Sequence, residues 1–310
     1  MSDPLILALP SKGRLKDQTA AWLADSGLEL RLGGGARGYS ASLASLDGLE
    51  ARLISAADIA LALKSGEAHL GVTGADLLGE TGGAEPLLAL AFGRADLVVA
   101  APRSWIDVET MADVADVAHD VLARTGRRLR VATKYTTQTR AFFASHGIAD
   151  YRIVESSGAT EGAPAAGTAE LVVDITTTGA TLAANGLRAL ADGVILKSQA
   201  HLAASLTAPW TAAHLACARR LLAGLEARAR GHAATQLAWF ADQARAVETV
   251  LKRFEHRPLA SGALIARADV RTITEALAAA GVGPVAASHP TYVFDSACVA
   301  ADRLEALVKR

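Results

Sequence analysis

The 310-residue chain has almost no net charge, formally −1 at pH 7. Broad electrostatic binding to nucleic acid needs a basic face, so that class is excluded on charge. Two cysteines, Cys217 and Cys298, are too few for a disulfide framework and fit a reducing compartment. Met1-Ser2-Asp3-Pro4 carries no basic region, and the apolar run from Leu5 is only a strand long. Neither a signal peptide nor a membrane span is expected, and the expected location is the cytoplasm. The eight histidines lack metal-site spacing, and there is no Gly-x-Ser-x-Gly elbow. Zinc chemistry and hydrolytic triads are therefore disfavoured.

What the chain does have is apolar mass: 51% of its residues are hydrophobic, enough for two domains, or two and a small third. Its most informative stretch is Asp174-Ile175-Thr176-Thr177-Thr178-Gly179-Ala180-Thr181-Leu182. An apolar strand, Leu171 to Val173, leads into it and a helical pattern follows. An acid thus ends a strand, and a turn rich in hydroxyls opens a helix. Such a turn offers backbone N–H groups, threonine hydroxyls and a helix dipole to one anion. Asp174 repels phosphate but accepts hydrogen bonds from sugar hydroxyls. The pair of functions describes a phosphorylated ribose. The plain alternative is helix capping by threonine, but four threonines within six positions beside an acid favour the cradle. The segment is neither a P-loop nor a dinucleotide fingerprint.

Strand and helix signals alternate along the chain, which predicts parallel α/β layers. Leu5–Leu9 reads as a strand, followed by a Pro10–Arg14 turn and a helix stopped by Gly27. Gly33-Gly34-Gly35 reads as a linker, or else a flap. Asp58 is expected to cap a helix over 59–64. A second α/β block runs from about Pro102, and the chain is expected to cross back near Gly193. A long helix is expected from Pro209 to Arg230. Leu237, Phe240, Ala244, Val247, Leu251 and Phe254 recur at helical steps, predicting an amphipathic helix from Ala233 to Phe254 with a face for subunit or domain contact. The tail then reads strand (263–266), helix (269–280), strand (284–287), strand (292–299), helix. That order matches most of a ferredoxin-like βαββαβ unit with its final strand missing.

Lys12 and Arg14 flank Gly13 beyond the first strand, where open parallel sheets bind ligands. They suit a diphosphate, which Arg grips bidentately and Lys meets as a compact charge; the alternative is a solvated turn. Asp76 follows Gly71-Val72-Thr73-Gly74 and reads either as an acceptor for an amine or ribose hydroxyl, or as a helix cap. Lys134 reads as a contact for a triphosphate and Tyr135 as a platform for a base, against an exposed cation and a packed ring. Glu161, in the loop from Gly158 to Gly167, reads as a substrate contact or a solvated acid.

These segments resemble the ATP phosphoribosyltransferase family, which opens histidine biosynthesis. The matching pieces, in order, are Leu9-Pro10-Ser11-Lys12-Gly13-Arg14-Leu15; Asp58-Ile59 with Gly71 to Leu77; Phe92-Gly93-Arg94 with Leu97 to Ala100; Ala132 to Tyr135 with Thr139-Arg140; Ser157 to Glu161 with Pro164; Asp174 to Leu182 with Asn185-Gly186-Leu187; and Lys197-Ser198-Gln199-Ala200. The resemblance implies a bilobal α/β core like type II periplasmic binding proteins plus a small α+β ferredoxin-like C-terminal domain. It implies lobe I at 1–100 and 194–231, lobe II at 101–193, and a regulatory-like domain at 232–310.

The implied reaction joins N1 of ATP to C1 of 5-phosphoribosyl 1-diphosphate, releasing diphosphate with Mg²⁺ as cofactor. Thr176, Thr177, Thr178, Gly179, Ala180 and Thr181 would hold the 5-phosphate, and Asp174 the ribose. Lys12 and Arg14 would take the leaving group, while Asp76, Lys134, Tyr135 and Glu161 would meet substrate. Histidine feedback and a homo-oligomer, dimer or hexamer, are further implications. The chain departs from the family pattern at Ala56-Ala57-Asp58, where an Arg is usual, at Ala95-Asp96 after Arg94, where Cys-Arg is usual, and in its short tail. The competing reading is a non-catalytic bilobal sensor that keeps the phosphate cradle.

Overall fold

A computed structural model describes residues 3–32, 40–43, 46–156, 158–260 and 262–309; the glycine run 33–35 and Ser157 lie outside them. The chain opens with β1 (Leu5–Pro10), α1 (Gly13–Asp25), β2 (Leu30–Leu32), β3 (Ser40–Leu43), β4 (Leu49–Ile54), α2 (Ala56–Ser65), β5 (Leu70–Gly74), α3 (Ala75–Thr81) and β6 (Ala84–Ala89). It continues through β7 (Ala95–Pro102), α4 (Met111–Thr125), β8 (Leu129–Thr133), α5 (Thr136–Ser145), β9 (Tyr151–Glu155), β10 (Leu171–Thr176), α6 (Ala180–Ala184), β11 (Leu187–Ser198) and β12 (Ala200–Ser205). The last part holds α7 (Ala212–Ala233), β13 (Ala234–Ala238), α8 (Ala244–Leu251), β14 (His256–Leu259), β15 (Gly262–Ala266), α9 (Val270–Ala279), β16 (Ala286–Ser288) and α10 (Val299–Val308).

The first sheet runs β2-β3-β4-β1-β5-β12-β6, with β1 between parallel β4 and β5. All six residues of β1 are buried. That explains an apolar run without alternation: a central strand is covered on both faces. The second sheet runs β11-β7-β10-β8-β9, with β8 between parallel β9 and β10. Each sheet has its own core, Leu7, Leu9, Val72 and Leu222 in one, Val99, Val131, Phe143 and Val173 in the other. Burying each such side chain stabilises the fold by roughly 2 kcal/mol. The two-lobed α/β class is thus present as expected.

The crossings sit a few residues from where they were expected. Residues 100 and 194 fall inside β7 and β11, which both belong to the second sheet. The chain therefore enters that sheet at Ala95 and leaves it after Ser198. An apolar run marks a strand but not its partner, so the run Leu97–Ala101 could not be assigned to a sheet from sequence. Helix α2 is capped by Ser55, whose hydroxyl accepts from the Asp58 N–H, so Asp58 is a first-turn residue and not the cap.

The tail needs a larger correction. The expected helix from Ala233 to Phe254 is a strand, β13, followed by the shorter α8. Leu237, Val247 and Leu251 are all buried in the tail's own core, whereas Phe240 and Ala244 are exposed, so the face expected to make subunit or domain contacts is used within this unit only in part. With β13 included, β13-α8-β14-β15-α9-β16 is a complete βαββαβ unit, antiparallel throughout in the order β14-β15-β13-β16. The unit is not cut short; its first strand was hidden in a helical-looking stripe. Of the expected strand 292–299, residues 292–298 are irregular and lie against α7, where Val293 N–H donates to Ala227 O at 2.9 Å, and Val299 begins α10. This segment returns α10 to the first core through Leu304. Arg219 on α7 pairs with Asp302 and Glu305 of α10, and Arg303 pairs with Glu85.

Candidate active site

Hydrogen bonds made by Arg14, Tyr135, Ser198, Gln138 and Glu80 cross between the two lobes beside the ends of β1, β5, β8 and β10. Arg14, at the start of α1, reaches Thr177 Oγ1 of the opposite lobe at 3.4 Å. Lys12 stands two residues earlier at the N-cap of α1 with extended backbone, its side chain exposed. Arg14 thus meets the threonine turn, and Lys12 lies on the same strand-to-helix turn beyond a parallel strand.

The threonine turn is formed by its own side chains. Gly179 takes a left-handed φ of 74°, which favours glycine, and lets the chain turn from β10 into α6. Its N–H donates to Thr176 Oγ1 at 2.8 Å, and Ala180 N–H donates to Thr178 Oγ1 at 3.4 Å. Thr177, Thr178, Ala180 and Thr181 are exposed. The donors an anion would use are thus near the surface, held by bonds that a stronger acceptor can replace.

Asp174 lies on β10 at the mouth of this turn, half-buried, with Oδ1 accepting from the Ile175 N–H at 2.8 Å. Burial pushes its carboxyl above the usual range; the Ile175 N–H and Lys134 act the other way, and Glu161 and Asp76 reinforce the rise. Asp174, Lys134, Glu161 and Asp76 therefore share one electrostatic neighbourhood. Glu161 sits in a single 3₁₀ turn, Thr160–Gly162, entered through Ala159 at a left-handed φ of 48°. A non-glycine residue there is strained, by roughly 1–3 kcal/mol.

At the opposite end the side chains are committed to one another. Asp76 is buried, with Oδ1 accepting from Ser198 Oγ at 2.7 Å and Oδ2 from Tyr135 OH at 2.8 Å. Its own N–H donates to Ser198 Oγ at 3.1 Å. A Cβ on Gly74 would lie 2.2 Å from Asp76 Oδ1, so glycine leaves room for that carboxylate. Tyr135 is fully buried, with Lys134 Nζ 5.0 Å from its ring centroid. Burial first, then the Asp76 charge and hydrogen bond, raise its hydroxyl far above the ordinary tyrosine value. The expectations that Tyr135 offers a face to a base and that Asp76 offers an open acceptor are therefore corrected for this conformation: each is turned to the other.

Three further residues of the cleft were not singled out from sequence: Ser198, Glu80 and Gln138. Glu80 accepts from the first turn of α5 and Gln138 Nε2 donates to Asp76 O at 2.7 Å. Ser198 stands inside the segment Lys197-Ser198-Gln199-Ala200, but its partner is 122 residues away, so no local pattern marks it. Among the described residues no three His, Cys, Asp or Glu side chains converge to hold a metal ion, and no helix is long and apolar enough to cross a membrane.

The family model described as ATP phosphoribosyltransferase matches residues 55–225. An ATP phosphoribosyltransferase of Caulobacter vibrioides is 62% identical over 317 aligned positions, which take in 100% of this chain and 99% of that protein. One of Rhodopseudomonas palustris is 57% identical over 235 positions, 74% of this chain and 72% of that protein. Among solved structures, the ATP phosphoribosyl transferase (HisG:HisZ) complex from Thermotoga maritima aligns with a TM-score of 0.50 at 26% identity, covering 65% of this chain and 87% of that one. Neither the family match nor these relatives favour the sensor reading.

Proposed function

The chain belongs to the ATP phosphoribosyltransferase family, and on that premise we propose how its cleft performs the reaction. The enzyme transfers the 5-phosphoribosyl group of 5-phosphoribosyl 1-diphosphate to N1 of ATP, the first step of histidine biosynthesis. The N1 lone pair forms a bond to C1 as the C1–oxygen bond to diphosphate breaks. Positive charge grows on the sugar and negative charge on the leaving group.

In our reading the N–H groups of Gly179 and Ala180, with Thr176, Thr177, Thr178 and Thr181, hold the 5-phosphate. Asp174 holds the ribose hydroxyls and faces the growing positive charge. Lys12 and Arg14 receive the diphosphate, and Asp76, Lys134, Tyr135 and Glu161 serve the ATP side. The observation that carries this reading is the Arg14–Thr177 bond across the cleft. It brings the proposed leaving-group cation of one lobe to the edge of the proposed phosphate cradle of the other. Catalysis is then mainly alignment and charge stabilisation in a partly dry site.

The donor set suits a Mg²⁺ ion carried in by diphosphate, because such ions keep most of their water and phosphate oxygens. Of the protein groups, Asp174 would meet it. The ion would supply charge neutralisation at the leaving group.

A complete ferredoxin-like unit supports a regulatory role for the tail, with L-histidine as the feedback ligand. Exposed Phe240, beside Trp239 and Val285 on that unit, supports assembly into dimers or hexamers. Sparse cysteine supports the cytoplasm as its location. The test is to incubate the protein with ATP, 5-phosphoribosyl 1-diphosphate, Mg²⁺ and a pyrophosphatase and to follow product absorbance, with and without histidine. Turnover that R14A and D174N each suppress is the expected result. Turnover that survives both substitutions would overturn the site assignment.

A further inference from the structure

Helix α5 starts without a cap of its own. Its N-cap residue is Tyr135, whose side chain is turned to Asp76 and makes no capping bond. Helices α4 and α7 are different: each opens with a capping box of its own, Thr110 with Asp113 and Thr211 with His214. The first N–H groups of a helix need acceptors. For α5 the acceptor comes from the other lobe. Glu80 on α3 accepts from Thr137 N–H at 2.9 and 3.1 Å, from Gln138 N–H at 3.1 Å and from Thr136 Oγ1 at 3.1 Å.

The junction runs both ways. Gln138 Nε2 donates back to Asp76 O at 2.7 Å, and a Cβ on Gly79 would lie 3.2 Å from Gln138 Oε1. A carboxylate on the positive end of α5 also gains from the helix dipole. Lys134 and Tyr135 immediately precede α5, and Asp76 lies one helical turn before Glu80 on α3. Any slip of α5 against α3 would separate Lys134 and Tyr135 from Asp76.

We propose that Glu80 is a positioning residue for ATP: by capping the opposite lobe's helix it sets the spacing between the two halves of the nucleotide site without touching substrate. The proposal rests on the reading of Asp76, Lys134 and Tyr135 as the ATP side. The test compares Glu80→Gln, which keeps one acceptor oxygen, with Glu80→Ala, and adds Thr137→Asp to the latter. The added acid stabilises the first turn of α5 from within and leaves the lobes untied. Charge-assisted hydrogen bonds of this kind predict a KM for ATP raised about tenfold in Glu80→Ala and less in Glu80→Gln, with kcat and the KM for the sugar donor within about twofold.

Adding Thr137→Asp should restore Tm but not the KM for ATP. Recovery of both would overturn the proposal, since Glu80 would then serve only helix stability. Unchanged constants for both substrates in folded Glu80→Ala would overturn the tie itself. A rise confined to the sugar donor would overturn the proposal from beneath, by refuting the ATP assignment.

Discussion

At the threonine end of the cleft, Thr177, Thr178, Ala180 and Thr181 lie open, and the N–H groups of the turn rest on neighbouring hydroxyls. At the Asp76–Tyr135 end both side chains are buried and both carboxylate oxygens of Asp76 are taken. The first end can accept an anion by exchanging weak internal acceptors for a charged one, with little movement. The second can admit a ligand only by breaking bonds between the lobes. On the proposed assignment the sugar donor would meet a site already shaped, whereas ATP would displace the Tyr135 and Ser198 hydroxyls from Asp76. On that assignment the energetic cost of ATP binding lies in the Tyr135 and Ser198 bonds to Asp76, while the Glu80 tie to α5 keeps the two lobes in register.

The sharpest way to break this contrast is at Asp174, which stands between the two ends. Asp174→Asn should lower kcat by about 10²–10³, the usual loss when one charge-stabilising group is removed, while the KM for the sugar donor changes little. Unaltered kcat in steady-state assays would remove Asp174 from the chemistry. The same substitution carries a stability prediction. A carboxyl whose native pKa is raised contributes stability only below its unfolded value and loses it as pH rises through the native one. Burial raises Asp174 in this way, so its ionised form weighs against the fold at neutral pH. Asp174→Asn should raise the Tm at pH 7, and the gain should shrink as pH falls and vanish below about pH 3, where both states of the wild type carry a protonated Asp174.

Next in size is Arg14. Arg14→Ala removes a cation from the open end, and kcat/KM for the sugar donor should fall about 10- to 100-fold, the scale of one charge-assisted pair. The KM for ATP should stay near the wild-type value. An equal loss for both substrates would mean that the two ends are not independent.

The two ends also differ in how far sequence revealed them. The threonine turn is contiguous, so its acid, glycine and hydroxyls could be read together, and Lys12 and Arg14 were marked by their place after a buried strand. The buried end joins residues from three distant segments, Asp76, Tyr135 and Ser198, and no spacing along the chain reports a meeting made by tertiary packing. Asp76 and Tyr135 were singled out, but as ligand contacts, because exposure cannot be read from residue type. Glu80 was missed for a related reason: it caps a helix that follows it by 56 residues. In the tail, the stripe from Leu237 to Phe254 has helical spacing, yet Leu237 lies in β13, pairing with Ala263 and Ala287. Short apolar runs satisfy both periods, and tertiary pairing decides between them.

Tyr135→Phe tests the closed end directly. It keeps the buried ring and removes the hydroxyl, leaving Asp76 Oδ2 without its donor. Stability should fall by about 1–2 kcal/mol in urea unfolding, the cost of one unsatisfied buried acceptor. If ATP must displace that hydroxyl, the KM for ATP should fall or hold while the protein weakens. A raised KM for ATP would show instead that the hydroxyl contacts the nucleotide, and that the end is not closed against it.

The smallest effects come from paired substitutions in the open end. Thr176 Oγ1 accepts the Gly179 N–H at 2.8 Å, whereas Thr177 Oγ1 accepts a longer bond, 3.4 Å, from Arg14. Thr176→Val keeps the shape of the side chain and removes the acceptor that holds the turn before substrate arrives. Losing about 1 kcal/mol of such organisation should raise the KM for the sugar donor about fivefold with kcat unchanged. Thr177→Val should do less, because its hydroxyl does not shape the turn. The reverse order would mean that the Thr177 hydroxyl itself grips the phosphate and that the turn is moulded by its ligand. The open end would then resemble the closed one, with both sites formed only as substrate binds.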